Sequence, residues 1–316
     1  MLLIVAALAF SAVSGANDGA TLVALTLNNR TLRPAASVGI LAAMVTIGPL
    51  LFGTAVATTV ARRLVTFEGQ SGTSVLLIAV GAGLAVVLLL QRRGLPTSLN
   101  MALTGGIVGG GIGAGFAIGW GAVALTLGLA LTAPFASSVM ALAVERLLRV
   151  LPAQTLMARR LGQIQVLTFV TQCAAYAGND AQKMVALIAV GAGTADPALR
   201  VQPLPMLAVG VCFALGTLYG IERLAPLLGR RVLPMRPVDP AVAELSAAVA
   251  VLGSAALATP VSSTQATAAG LIGAGMGVTY RRVRWQEAAR IGVAWVVTLP
   301  TSAALAGMLA FALHAR

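Results

Sequence analysis

The chain has 316 residues, of which 58% are hydrophobic and only 9% charged. A soluble domain carries about 25% charged residues, so this composition excludes a water-covered globule and requires a polytopic helical membrane protein. The net charge of +12 comes from arginines set between apolar stretches. That is the placing of loop anchors, not of a nucleic-acid surface.

Ten apolar segments follow in chain order. The first five span roughly 2–28, 36–61, 73–91, 96–116 and 118–144, and the second five roughly 164–190, 204–221, 241–259, 261–279 and 288–312. The stretch up to Ala16 has the apolar body of a signal peptide but no positive start. Its end carries an Asn-Asp motif that recurs far inside the chain, so it reads as a retained span. The fourth segment of each set is rich in glycine and opens on proline and hydroxyl residues, as a re-entrant hairpin would, but re-entry there would split the arginines eight to eleven and a crossing is expected instead.

The two sets are copies of one unit. Asn17-Asp18 returns as Asn179-Asp180, at an offset of 162 residues. The stretch from Pro96 to Gly111 returns as Pro260 to Gly275 at an offset of 164, and Thr132-Ala-Pro134 as Thr298-Leu-Pro300 at 166. The organisation expected is a first repeat at 1–145, an Arg-rich cytoplasmic linker at 146–163 and a second repeat at 164–316.

Ten net crossings put fifteen arginines on one side, from Arg30 and Arg33 to Arg281, Arg282 and Arg284. Only Arg62, Arg63, Arg200 and Arg316 stay on the other. Such a bias marks the cytoplasmic side and leaves both termini outside a multi-pass protein of the cell membrane. Five crossings per unit is an odd number, so the second unit enters from the opposite face. The expected fold is all-α, with two inverted-topology repeats of five net segments and broken or half helices at the centre.

Within that frame the polar residues divide into two sets. Asn17, Asp18, Asn179 and Asp180 offer side-chain oxygens near mid-depth, suited to Na⁺ or, through a buried carboxylate, to a proton. Gly15, Gly19 and Gly178 allow local unwinding beside them. The helix starts after Pro96 and Pro260 offer unpaired backbone N–H groups and the hydroxyls of Thr97, Ser98, Ser262, Ser263 and Thr264, which suit a tetrahedral oxyanion. Lys183, the only lysine, either pairs with Asp180 or holds the anion. Glu145 and Glu244, each near a segment end, read as interfacial. Trp120, Trp285 and Trp295 read as packing or interface residues. No catalytic triad, nucleotide loop or metal-ligand cluster is present, so no enzyme is expected.

Taken in order, Gly15-Ala-Asn-Asp18, Ala177-Gly-Asn-Asp-Ala-Gln-Lys183, Pro260-Val-Ser-Ser-Thr-Gln-Ala266 and Trp295-Val-Val-Thr-Leu-Pro300 resemble the motifs of the inorganic phosphate transporter (PiT) family. The resemblance spans nearly the whole chain. It implies symport of phosphate with Na⁺ or H⁺, the anion being held between the Asn-Asp motifs and the helix starts. Asn17, Thr97, Ser98, Asn179, Lys183, Ser262, Ser263 and Thr264 would hold the anion. Asn17, Asp18, Asn179 and Asp180 would hold the coupling ion. No cofactor is expected, and no metal beyond Na⁺. The expected partners are phosphate or sulfate, the coupling cation, the bilayer and, as an open option, a second copy of the chain. Gln265 and Met101 replace the histidine of the family motif, Leu99-Asn100 stands where hydroxyls are usual, and Thr21 stands where an Asn is common. These departures keep a sulfate permease of the same fold as the alternative. An anion channel or a membrane scaffold is the alternative of another class.

Overall fold

The computed structural model describes residues 1–27, 31–67, 69–92, 97–150, 155–193, 199, 202–231 and 233–314. Of the residues named above, Arg30, Pro96, Arg200 and Arg316 lie outside them, and of the other arginines counted there so do Arg93 and the side chains of Arg159, Arg223, Arg230 and Arg231.

The first half runs α1 (Leu2–Ser14), a wide π-type turn (Gly15–Gly19), α2 (Ala20–Leu27), α3 (Pro34–Phe52), α4 (Ala55–Thr58), α5 (Gly69–Arg92), α6 (Leu99–Gly113) and α7 (Trp120–Val150). The second runs α8 (Thr155–Asn179), α9 (Ala181–Gly191), α10 (Pro203–Arg231), α11 (Asp239–Ala256), α12 (Ser263–Val278) and α13 (Trp285–His314). Seven described helical stretches are long and apolar enough to cross a bilayer, and the protein is a multi-pass membrane protein. Leu131, Phe135 and Val139 of α7, and Leu207, Val211 and Leu215 of α10, point outward from the bundle. Lipid, not water, suits such faces. The segment expected as a linker is the end of α7 and the start of α8, with 151–154 outside the described residues.

The helices of the two fourth segments fall short of a crossing. At 1.5 Å per residue, α6 and α12 reach about 22 and 24 Å against a hydrocarbon core of about 30 Å. Each is instead the returning arm of a hairpin. The α5–α6 hairpin closes where Thr66 N donates to Ala117 O (3.1 Å) and Gly119 N to Leu64 O (3.0 Å). Phe67 and Phe116 stack edge-to-face at the same place, with Phe116 on His314. The α11–α12 hairpin closes where Arg282 ion-pairs with Asp239 at 2.8 Å. Arg282 lies at the start of α13 and His314 at its end, and α13 is about 45 Å long. The two hairpins therefore enter from opposite ends of the bundle. Their tips meet in the middle, where the Asn100 amide donates to Pro260 O at 3.2 Å. The fourth segment of each half is thus a half-length arm, not a crossing. The ends of each hairpin still share one side, so the side of the flanking loops is unchanged.

Each arm packs on the closing helix of the other half. A methyl group on Gly109 of α6 would lie 2.1 Å from Ala303 O of α13, and one on Gly273 of α12 would lie 2.0 Å from Ser138 O of α7. Ser302 of α13 donates to Ala102 O of α6 (2.6 Å), and Ser137 of α7 donates to Ala266 O of α12 (2.8 Å). The two contacts are reciprocal, each short arm lying on the last helix of the other half. These glycines let backbones touch, the common means of helix association in lipid.

Gly273→Val should therefore lower the melting temperature in detergent by the equivalent of about 1–3 kcal/mol or more, the cost of overpacking. Gly128→Ala, where nothing lies within 4 Å, should leave it unchanged. Equal melting temperatures for both variants would contradict the close contact.

Candidate functional site

The centre of the bundle is built from helix ends. Ser98 and Ser262 cap α6 and α12, accepting from Met101 N and Gln265 N at 3.2 and 3.4 Å. The hairpin tips also carry carbonyls outside the helices, and one left unpaired within a bilayer costs several kcal/mol. Asparagine supplies the partners. Asn17 Nδ2 donates to Thr97 O (3.1 Å) and Asn179 Nδ2 donates to Thr259 O (2.9 Å). Each motif asparagine thus holds the hairpin tip of its own half, Asn17 just after the tip proline and Asn179 just before it.

The carboxylates beside them differ in their surroundings. Asp180 is 5% exposed and is ion-paired at 2.5 Å to Lys183, which also donates to Val261 O at 2.8 Å. Its second oxygen accepts from the Ser263 hydroxyl and from Ser263 N (3.3 Å). Of the two roles considered for Lys183, pairing with Asp180 is the one seen. An ammonium has three donors, and two are used. Asp18 is 6% exposed and accepts from Asn17 Nδ2 (2.8 Å) and the Tyr176 hydroxyl (3.3 Å). At the position equivalent to Lys183 stands Thr21, which donates to its own helix at Asn17 O (2.7 Å).

All ten residues named from the sequence for the anion and the coupling ion are buried. Asn17, Asp18 and Thr97 form one group, while Asn179, Asp180, Lys183, Val261 and Ser263 form the other. The Asn100–Pro260 contact joins them. Ser262 and Thr264 share a hydrogen bond at 2.9 Å. Thr97 Oγ1, Asn100 Oδ1 and Gln265 Oε1 are buried without a described partner. Among the described residues no cluster of three or more His, Cys, Asp or Glu gathers for a metal.

Two expectations change. The glycines of the first motif do not unwind it, because the helix continues through one wide turn. Gly15 instead lets α10 approach, since a methyl group there would lie 2.0 Å from Phe213 O. Glu145 and Glu244 are not interfacial, being 1% and 0% exposed. Glu145 is ion-paired with Arg236, while Glu244 meets only neutral donors.

The sequence reading passed over three residues at the centre. Gln91 donates to Asn17 Oδ1 (2.7 Å) and Tyr176 to Asp18, as above. Gln182 Oε1 accepts from Val56 N (2.8 Å) and Ala57 N (3.1 Å), which caps α4 where Gly53 breaks the second segment. Tyr176 and Gln182 flank the second Asn-Asp pair, so proximity to the motif was their signal. Gln91 carried none, lying five residues before Pro96 at the end of an apolar run.

The phosphate transporter family matches residues 14–161 and 152–306. The chain belongs to that family. It is 27% identical to a probable low-affinity inorganic phosphate transporter of Bacillus subtilis, covering 99% of this chain and 97% of that one. It is 31% identical to a protein of the same description from Rhizobium meliloti, over 98% and 95%. A solved structure described as the sodium-dependent phosphate transporter shares the fold with a TM-score of 0.78 at 17% identity, over 99% of this chain and 98% of that one. This membership places the protein among transporters and not among enzymes.

The buried ion pair makes a specific claim about stability. Removing one partner of such a pair leaves an uncompensated charge and costs about 3–5 kcal/mol. Lys183→Met should lower the melting temperature sharply, and adding Asp180→Asn should restore most of it. A single variant as stable as the parent would show that Asp180 does not rely on Lys183.

Proposed function

We propose that the protein is a secondary active symporter that carries inorganic phosphate across the cell membrane together with Na⁺ or H⁺, through two inverted-topology halves. One observation carries the reading. Two capped half-helix starts meet between two Asn-Asp motifs at the middle of a membrane bundle. Helix N-termini favour anions. Thr97, Ser98, Ser262, Ser263 and Thr264 add hydroxyls, and Asn17, Asn179 and Lys183 complete the donor set for the anion. Relatives described as low-affinity inorganic phosphate transporters support phosphate as the cargo. The sodium-dependent neighbour favours Na⁺ as the coupling ion, held by Asp18 and Asp180 with Asn17 and Asn179.

Charge balance supports coupling. The two carboxylates and a divalent anion carry −4, while Lys183 and two helix N-termini of about +0.5 each return about +2. Two monovalent cations close the gap in a medium that penalises net charge.

Phosphate keeps at least one proton at pH 7 and needs an acceptor, whereas sulfate has no proton to give. The Asn100 and Gln265 carbonyl oxygens, buried and unpartnered, suit that acceptor role. A polar group left unmatched against the wrong substrate discriminates strongly. In proteoliposomes, arsenate should inhibit labelled phosphate uptake and equimolar sulfate should not. Asp18→Asn should abolish accumulation against a gradient in a folded protein. Stronger inhibition by sulfate would assign the protein to sulfate, and full accumulation by Asp18→Asn would remove Asp18 from coupling.

The inverted arrangement has its own test. Cysteines introduced near Arg33, Arg160 and Arg236 should all react from the cytoplasmic side. Labelling of the first two from opposite faces would end the inverted reading.

A further inference from the structure

Tyr176 has no part in the donor set for the anion or in the ligand set for the coupling ion, yet it touches both Asn-Asp motifs. It stands in the last turn of α8 and is fully buried. Its ring packs on Phe213 of α10, with the centroids 5.4 Å apart. Its hydroxyl crosses from the second half to the first, where it donates to Asp18 Oδ2 at 3.3 Å and shares a hydrogen bond with Ser14. Its carbonyl accepts from Asp180 N at 2.7 Å. Asp18 and Asp180 both act electrostatically on the hydroxyl. Ser14 stands three residues before Asn17, as Tyr176 does before Asn179, so the phenol is present in one half alone.

Packing does not ask for this hydroxyl. Phenylalanine would lie on Phe213 equally well, without a buried polar group that is costly to leave unpaired. The bond to Asp18 is also long, since O–H···O bonds cluster at about 2.7–2.8 Å. Such a bond holds the hydrogen without locking it.

A phenol has a single hydrogen to donate, and the hydrogen rotates to suit its surroundings. While Asp18 is ionised and bare, that hydrogen points to Oδ2, and the oxygen lone pairs face the rest of the site. An anion entering there meets a lone pair, which repels it. A cation on Asp18 reverses both effects. The hydrogen is the positive end of the O–H dipole and turns away from the cation, to which the phenol oxygen then presents its lone pairs. The freed hydrogen is offered to an anion held between the two motifs, as a charge-assisted bond of the stronger kind.

We propose that Tyr176 is a switching donor that links the two ligands: its O–H turns from Asp18 to the phosphate anion when Na⁺ binds at Asp18. Arrival of the cation removes a repulsion and adds a donor in one movement. By linkage, the anion raises the affinity for Na⁺ by the same factor. The inference rests on the symport reading with Na⁺ and supplies the side chain through which one ligand senses the other.

The test is the Kd of phosphate, measured by calorimetric titration of the purified full-length protein in sodium chloride and in choline chloride. The parent should bind phosphate more tightly in sodium. Tyr176→Phe keeps the ring on Phe213 and removes the donor. A hydrogen bond to a charged group supports about tenfold in affinity, so the choline-to-sodium ratio of Kd values should fall about tenfold, through weaker binding in sodium. Should that variant not fold, Tyr176→Met, which fills the space with a flexible apolar chain, is read in the same way. Phe213→Leu loosens the ring but keeps the hydroxyl. It should lower the melting temperature and leave the ratio within about twofold of the parent's. The parent's ratio in a folded Tyr176→Phe protein overturns the proposal, and so does an equal fall in Phe213→Leu, which would trace the effect to packing. A parent whose phosphate affinity ignores Na⁺ defeats Na⁺ coupling and the proposal with it, an outcome visible before any variant is made.

Discussion

Hydrogen bonding without water governs the architecture. A hairpin that stops at the middle of a bilayer exposes helix ends where no solvent can satisfy them. Here the remedy is one side chain per half: Asn17 meets the carbonyl of Thr97, and Asn179 meets that of Thr259. Serine caps satisfy the first amides of each arm. Once both tips are held, α6 and α12 can be short, and their glycines can press against α13 and α7.

Much of this was readable because the duplication supplied internal controls. A single Asn-Asp pair in an apolar segment is ambiguous, but its return with the proline-led, glycine-rich segment in the same order is not. Two half-length arms were harder to read. Segment boundaries follow hydropathy, and the residues of α5 and α6 are apolar on both arms whether a hairpin crosses or turns back. Arginine placement favoured full crossings, because re-entry of the fourth segment alone would split the arginines almost evenly, whereas a hairpin made with the third segment leaves the flanking loops where they were.

The misread residues share a physical cause. Glu145 and Glu244 lie near segment ends, and a carboxylate there normally reaches water. Burial came from neighbours remote in sequence: Arg236 for Glu145, and Thr26 with two residues of α8 for Glu244. Gly15 was misread for the same reason, because its closest partner is Phe213 O on α10. Helix pairing of this kind leaves no trace in local pattern.

The halves are alike in scaffold and unlike in charge, and that difference bears on the proposed cycle. Asp180 keeps a permanent counter-ion in Lys183 at 2.5 Å, whereas the equivalent place beside Asp18 is Thr21, which bonds its own backbone. A carboxylate with a tethered ammonium needs a travelling cation less. A carboxylate held by one amide and a phenol at 3.3 Å needs it more. If both aspartates were paired, the site could take the anion alone, and no gradient would be needed to fill it. If neither were, the anion would meet two unopposed negative charges. One fixed and one missing counter-charge is the arrangement in which anion binding is favourable only after a cation has arrived, which is the condition that coupling requires.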